Sequence, residues 1–175
     1  IQPYLNKNVN FFEIGCGDGK FLRKVRDNVK EIECIEISPP QVEKLRKEGF
    51  VCHDKMIEDL IPKKRYDIIC LFAVLEHVPN LKDFIKRLKL FLNKGGLIFI
   101  GVPNANNVLF SSLNIKEFQS FYYRIVHLYY FKPHSLQKVL ENEGFKVDIS
   151  TFQQASITNH FHWMDKKNKQ KNTNQ

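Results

Sequence analysis

Two carboxylates and three glycines crowd the nine residues Phe11-Phe12-Glu13-Ile14-Gly15-Cys16-Gly17-Asp18-Gly19. Glycine permits positive φ and leaves no Cβ between the backbone and a ligand, so the segment reads as main chain built to press against a bound molecule. A dinucleotide fingerprint would place its third glycine three residues after the second. Here that position is Lys20 and the glycines end at Gly19, which argues against a nicotinamide cofactor. Asp18 inside the loop would repel a pyrophosphate but suits a ligand that carries an ammonium and a sulfonium. S-adenosylmethionine is such a ligand. Glu36 stands at the end of the next apolar run, where a carboxylate can accept both hydroxyls of a ribose.

The elements that must hold these residues follow from periodicity. Val9 to Ile14 is a short apolar run, and Phe21, Leu22, Val25 and Val29 mark one face of a helix starting at Lys20, so the glycine loop lies at a strand-to-helix turn. Strand patterns recur at 31–37, 50–53, 66–72 and 97–102. Helical patterns run through 41–48, opened by Ser38, Pro39 and Pro40, and through 81–92, with Asn93-Lys94-Gly95-Gly96 as a turn. A helix from Pro133 to Asn142, a strand from Phe145 to Ser150 and a last strand from about Thr151 to Ile157 complete the reading. Alternation of strands and helices predicts a parallel sheet. In such sheets ligands bind outside the carboxyl ends of the strands.

A chain of 175 residues that is 43% hydrophobic and 26% charged has the size and composition of one globular domain, predicted to span 1–164 with a disordered basic tail over 165–175. Its apolar runs are too short for a membrane span. The first residues carry no charged-then-apolar leader, and Ile1 in place of an initiator methionine predicts an excised or processed chain. Cys16, Cys34, Cys52 and Cys70 are spaced by 18 residues but form no Cys-x-x-Cys pair, which disfavours zinc or a disulfide framework and fits reduced thiols in the cytoplasm. The net charge of +8 invites a polyanionic partner. Lys166, Lys167, Lys169 and Lys171 in the tail and solvated helix faces explain most of it.

From Phe11 to Trp163 the chain resembles the class I S-adenosylmethionine-dependent methyltransferases. The resemblance rests on Glu13-Ile14-Gly15-Cys16-Gly17-Asp18-Gly19, Ile35-Glu36, Tyr66-Asp67-Ile68-Ile69, Val74-Leu75-Glu76-His77-Val78, Leu92 to Gly96 and Val102-Pro103-Asn104. Phe131 to Val147 is similar to the branch of ubiquinone-biosynthesis-like and sugar O-methyltransferases. It implies a Rossmann-like, doubly wound, mostly parallel seven-stranded sheet with helices on both faces. Asn104 to Phe131 then stands as an aromatic-rich lid insertion holding Phe110, Phe118, Phe121, Tyr122, Tyr123, Tyr129 and Tyr130.

The resemblance also implies cofactor roles for Glu13, which orders the methionine amino group, for Gly15, Cys16, Gly17, Asp18 and Gly19, for Glu36 and Ile37 at the ribose, for Asp54, Met56 and Ile57 around adenine, and for Phe72 near the methyl group. Plain core packing is the alternative for Met56, Ile57 and Phe72. Transfer to a hydroxyl needs a base, for which histidine is suited near neutrality. His77 is the first candidate and His127 the second, each with a structural histidine as its alternative. The acceptor is read as a small molecule and the transfer as O-methylation. A nucleic-acid methyltransferase is disfavoured, because amino-methylating members carry Asn/Asp-Pro-Pro-aromatic where this chain has Phe72-Ala73-Val74-Leu75. A catalytically silent S-adenosylmethionine-binding module is the other alternative.

Overall fold

The computed structural model describes residues 1–107, 109, 113–152 and 163–165. The chain divides into two compact units, Ile1–Val102 and Pro103–Gln175.

The first unit is built on β1 (Asn10–Ile14), β2 (Glu31–Ile35), β3 (Val51–His53), β4 (Tyr66–Phe72) and β5 (Leu92–Gly101). All pair in parallel in the order β3-β2-β1-β4-β5. Chain order reverses between β1 and β4, the place where an open α/β sheet leaves a crevice. Four of the five β1 residues are buried, as expected of a strand covered on both faces. Phe11 packs in one core with Leu22 and Val25 of α1 (Lys20–Val25) and Val42 and Leu45 of α2 (Pro39–Lys47). Phe12, on the opposite side of the strand, stacks on Tyr66 at 4.4 Å and on Phe91 of α3 (Leu81–Phe91) at 5.9 Å.

The details depart from the periodic reading where backbone chemistry intervenes. The first helix ends at Val25 and continues as a 3-10 turn, Arg26–Asn28. Ser38 precedes α2 without a side-chain capping bond, and Pro39 and Pro40 leave fewer backbone donors to be satisfied at the start of the helix. Asn80 does cap α3, accepting from the Asp83 N–H at 3.3 Å. The predicted turn at 93–96 is a bulge inside β5, since Tyr66 pairs with Leu92 while Ile68 pairs with Leu97. Gly95 sits there at φ +78°. Asp67 holds it, accepting from Asn93 Nδ2 at 2.6 Å and from the Asn10 N–H at 2.8 Å.

The described residues carry five strands, not the predicted seven. Phe145, Val147 and Ile149 alternate as half-buried residues between exposed ones, but among the described residues 145–150 enters no ladder. Alternation is local, whereas a strand requires a partner backbone. Of the last predicted strand only Thr151 and Phe152 are described, and the remainder lies outside the described residues, as do Phe110 and 166–175 of the tail.

The second unit contains α4 (Lys116–Tyr122) and α5 (Pro133–Asn142). Leu109, Phe118 and Trp163 form its buried cluster, with Ile115 and Tyr122 against it. Much of the predicted lid's aromatic content holds this unit together. Tyr122 donates through its hydroxyl to the Asn104 carbonyl at 2.8 Å, and the Tyr130 hydroxyl donates to the Tyr122 carbonyl at 2.9 Å and accepts from the Arg124 N–H at 2.6 Å.

Candidate functional site

β1 delivers the glycine loop to the reversal point of the sheet. Gly15, Gly17 and Gly19 have φ of +69°, +56° and +79°, values that disfavour any side chain. Their surroundings differ. A Cβ on Gly15 would lie 2.5 Å from Val74 Cγ2, and one on Gly19 would collide with Leu45. A Cβ on Gly17 would meet nothing within 4 Å, so the loop is pinned at its ends and open in the middle. The Gly15 and Cys16 N–H groups donate to the Ile35 carbonyl at 2.9 and 3.2 Å, tying the loop to the end of β2.

Glu36 is fixed to that loop. It is 9% exposed; Oε2 accepts from the Gly17 N–H at 2.7 Å, and Oε1 accepts from Ile37 and Ser38 N–H at 2.9 Å each. A carboxylate offers about four acceptor positions, so roughly one remains. Accepting both hydroxyls of a ribose would require one backbone donor to be released.

Glu13, the penultimate residue of β1, is 4% exposed, and its Oε2 has no hydrogen-bond partner among the described residues. Burial pushes its carboxyl up to about 8, since a charge without a partner is costly in an apolar interior. A cation brought to this carboxylate would reverse that shift. Asp18 points outward instead, accepting from the Lys20 N–H at 3.2 Å, while Arg23 spans from the Asp18 carbonyl at 2.8 Å to a two-pronged contact with Glu48 at 2.7 and 2.8 Å.

Beyond β2 and β3 a cleft of about 590 Å³ is lined by Ile37, Pro39, Val42, Glu43, Arg46, Lys47 and Asp54. Ile37 is 62% exposed and Met56 is also open to solvent. Asp54 is held by Arg46 at 3.3 Å. Ile57 is buried at 1% exposure, so its side chain belongs to the core and not to the cleft. Phe72 ends β4 partly exposed, its ring set edge-on to Phe21 at 5.2 Å. Gly101 lies under it: a Cβ there would be 2.8 Å from Phe72 Cδ1.

After β4 the chain turns at Ala73, φ +55°, into the 3-10 turn Leu75–His77. His77 is exposed there, and its N–H donates to the Val74 carbonyl at 2.9 Å. His127 lies in the second unit with its ring against Tyr130 at 5.2 Å. Glu76 escaped the sequence reading as a site residue. It is fully buried, and neither carboxylate oxygen has a hydrogen-bond partner among the described residues. The available signal was a carboxylate inside the run Val74-Leu75-Glu76-His77-Val78. Among the described residues no helix is long and apolar enough to cross a membrane.

Comparison with known proteins gives a consistent set of likenesses. A family model described as a methyltransferase domain matches residues 1–149. The ubiquinone biosynthesis O-methyltransferase of Pelagibacter ubique is 29% identical over 107 residues, covering 56% of this chain and 43% of that protein. Malonyl-[acyl-carrier protein] O-methyltransferase 2 of Ilyobacter polytropus is 32% identical over 98 residues, covering 51% and 37%. The chain thus spans less than half the length of these curated relatives. A Bacillus halodurans C-125 protein assigned as a methyltransferase shares the fold with a TM-score of 0.68 at 19% identity, over 83% of this chain and 66% of that one.

Proposed function

Because the chain belongs to the methyltransferase-domain family, within the class I S-adenosylmethionine-dependent group, we propose that it binds S-adenosylmethionine at the glycine loop and transfers the methyl group to an oxygen of a small-molecule acceptor. The observation that carries the reading is Glu13, a buried carboxylate with an unpartnered oxygen on the strand that feeds the loop. Such a group awaits a cation, and the α-ammonium of the methionine moiety is one. The open middle of the loop at Gly17 accommodates close approach of the ligand. Glu36 receives the ribose, Ile37, Met56 and Asp54 flank the adenine, Cys16, Asp18 and the loop glycines frame the methionine portion, and Phe72 is a shelf near the sulfonium. Ile57 supports this surface from the core.

Methyl transfer from a sulfonium is an in-line displacement, and holding the acceptor about 3 to 3.5 Å from the methyl carbon supplies much of the acceleration. Oxygen acceptors are supported by the O-methyltransferase names of the two relatives. A hydroxyl acceptor must lose its proton, and His77, exposed past the end of β4, is the proposed base with His127 as the second candidate. The 104–131 insertion is read as the lid of the acceptor pocket on its length and aromatic content.

Calorimetric titration with S-adenosylmethionine, S-adenosylhomocysteine and NADH tests the cofactor, alongside Glu36→Ala. Binding of the first two, lost in the variant, is expected; binding of NADH alone would refute the reading. Formation of S-adenosylhomocysteine with hydroxylated acceptors then separates an enzyme from a silent binding module.

A further inference from the structure

The 18-residue spacing of the cysteines has a three-dimensional result beneath the glycine loop. Parallel register places Cys52, Cys34, Glu13 and Cys70 in one row across β3, β2, β1 and β4. Cys16, two residues past β1, folds back over Cys34 because its N–H is bound to the Ile35 carbonyl at 3.2 Å. The sulfurs of Cys16, Cys34 and Cys52 therefore all lie within 4.8 Å of one another. No fourth cysteine, histidine or carboxylate joins this group among the described residues, and all three thiols are free.

From this convergence we infer that Cys16, Cys34 and Cys52 form a three-sulfur site for a soft, thiophilic cation of low coordination number, with Cu(I) as the best match. Three sulfurs no farther apart than 4.8 Å have a common point at most about 2.8 Å from each, against about 2.3 Å for a metal–thiolate bond of the zinc type. Side-chain shifts of about half an ångström therefore suffice. Thiolate ligands select Cu(I) and Zn(II) over harder ions, and a structural zinc site closes with four ligands, whereas this group offers three. The surroundings are apolar, with Leu22, Val42 and Leu45 in the same cluster. Access is from the side of Cys16 and Cys52, which are 7% and 5% exposed while Cys34 is 0%. Occupation would tie the end of β1 to β2 and β3.

The reduced chain is titrated anaerobically with Cu(I) against a competing chelator. One ion per chain is expected, with ultraviolet thiolate-to-copper charge transfer and an X-ray absorption spectrum showing three sulfur neighbours. Cys34→Ala should weaken uptake at least tenfold, and Cys70→Ala, two strands away across β1, should leave it unchanged. The spectrum of the unmodified chain keeps the test decisive if a variant misfolds. No uptake in competition, nitrogen or oxygen neighbours in place of sulfur, or equal uptake by a folded Cys34→Ala variant would overturn the inference.

Discussion

Glu13→Gln isolates the burial of one carboxylate. Burial pushes the Glu13 carboxyl up to about 8, against 4.5 for its ordinary value. Below about pH 4.5 the group is neutral in both folded and unfolded chains, and its contribution to stability is complete. Between 4.5 and 8 the unfolded chain releases the proton while the folded one retains it, so stability falls as pH rises and levels off above 8. At about 1.4 kcal/mol per pH unit the ceiling of this loss is about 5 kcal/mol, and relaxation around the charge reduces it to about 2 to 4 kcal/mol. Urea unfolding of the ligand-free protein and of Glu13→Gln at pH 5 and pH 8 measures it. The amide carries no charge, so the difference between the two proteins should shift between these two pH values by about three-quarters of that amount in favour of the variant at pH 8. Binding supplies the converse. At pH 7 the carboxyl is about nine-tenths protonated, and an incoming ammonium should expel roughly 0.7 to 0.9 of a proton per ligand. Calorimetry of S-adenosylmethionine binding in buffers of different ionisation enthalpy reads that number. An identical pH dependence of stability in both proteins, or binding without proton release, would refute the assignment of a buried, cation-seeking Glu13.

Glu36→Ala leaves the Gly17, Ile37 and Ser38 N–H groups without their acceptor; part of the loss is recovered by water, and about 1 to 3 kcal/mol of destabilisation should appear in denaturant midpoints together with loss of cofactor affinity. Gly15→Ala adds a clash with Val74 to an unfavourable φ and should destabilise the fold by more than about 2 kcal/mol. Gly17→Ala, whose Cβ points into open space, should cost the fold about 1 kcal/mol while weakening S-adenosylmethionine binding more than stability. For His77→Gln, an exposed position, unchanged cofactor affinity with a fall of about 10²- to 10⁴-fold in turnover and loss of the acid limb of the pH profile would identify a base. An unchanged pH profile would assign that role elsewhere.

Legibility in the sequence varied with how local each cause was. β4 and α5 were bounded correctly, since the apolar run Ile68 to Phe72 dominates one and Pro133 with Gly144 brackets the other. The glycine loop and Glu36 were legible because few residues other than glycine tolerate the required φ and a strand-end carboxylate is hard to disguise. The bulge at 93–96 was hidden because it depends on Asp67 accepting from two separate elements. The segment 145–150 has the alternation of a strand but enters none of the ladders among the described residues, because alternation is local and pairing is not.

The sequence by itself determined the alternation of elements, the loop and the residue types available to the proposed site, because φ preference, periodicity and charge are properties of short segments. Only the tertiary structure decided that Glu36 spends most of its acceptor capacity on backbone N–H groups, that Glu13 Oε2 and both Glu76 carboxylate oxygens are buried with no hydrogen-bond partner among the described residues, and that three cysteines 18 residues apart meet. Each of these depends on which strands become neighbours and in what register, and that is settled by the packing of the whole sheet.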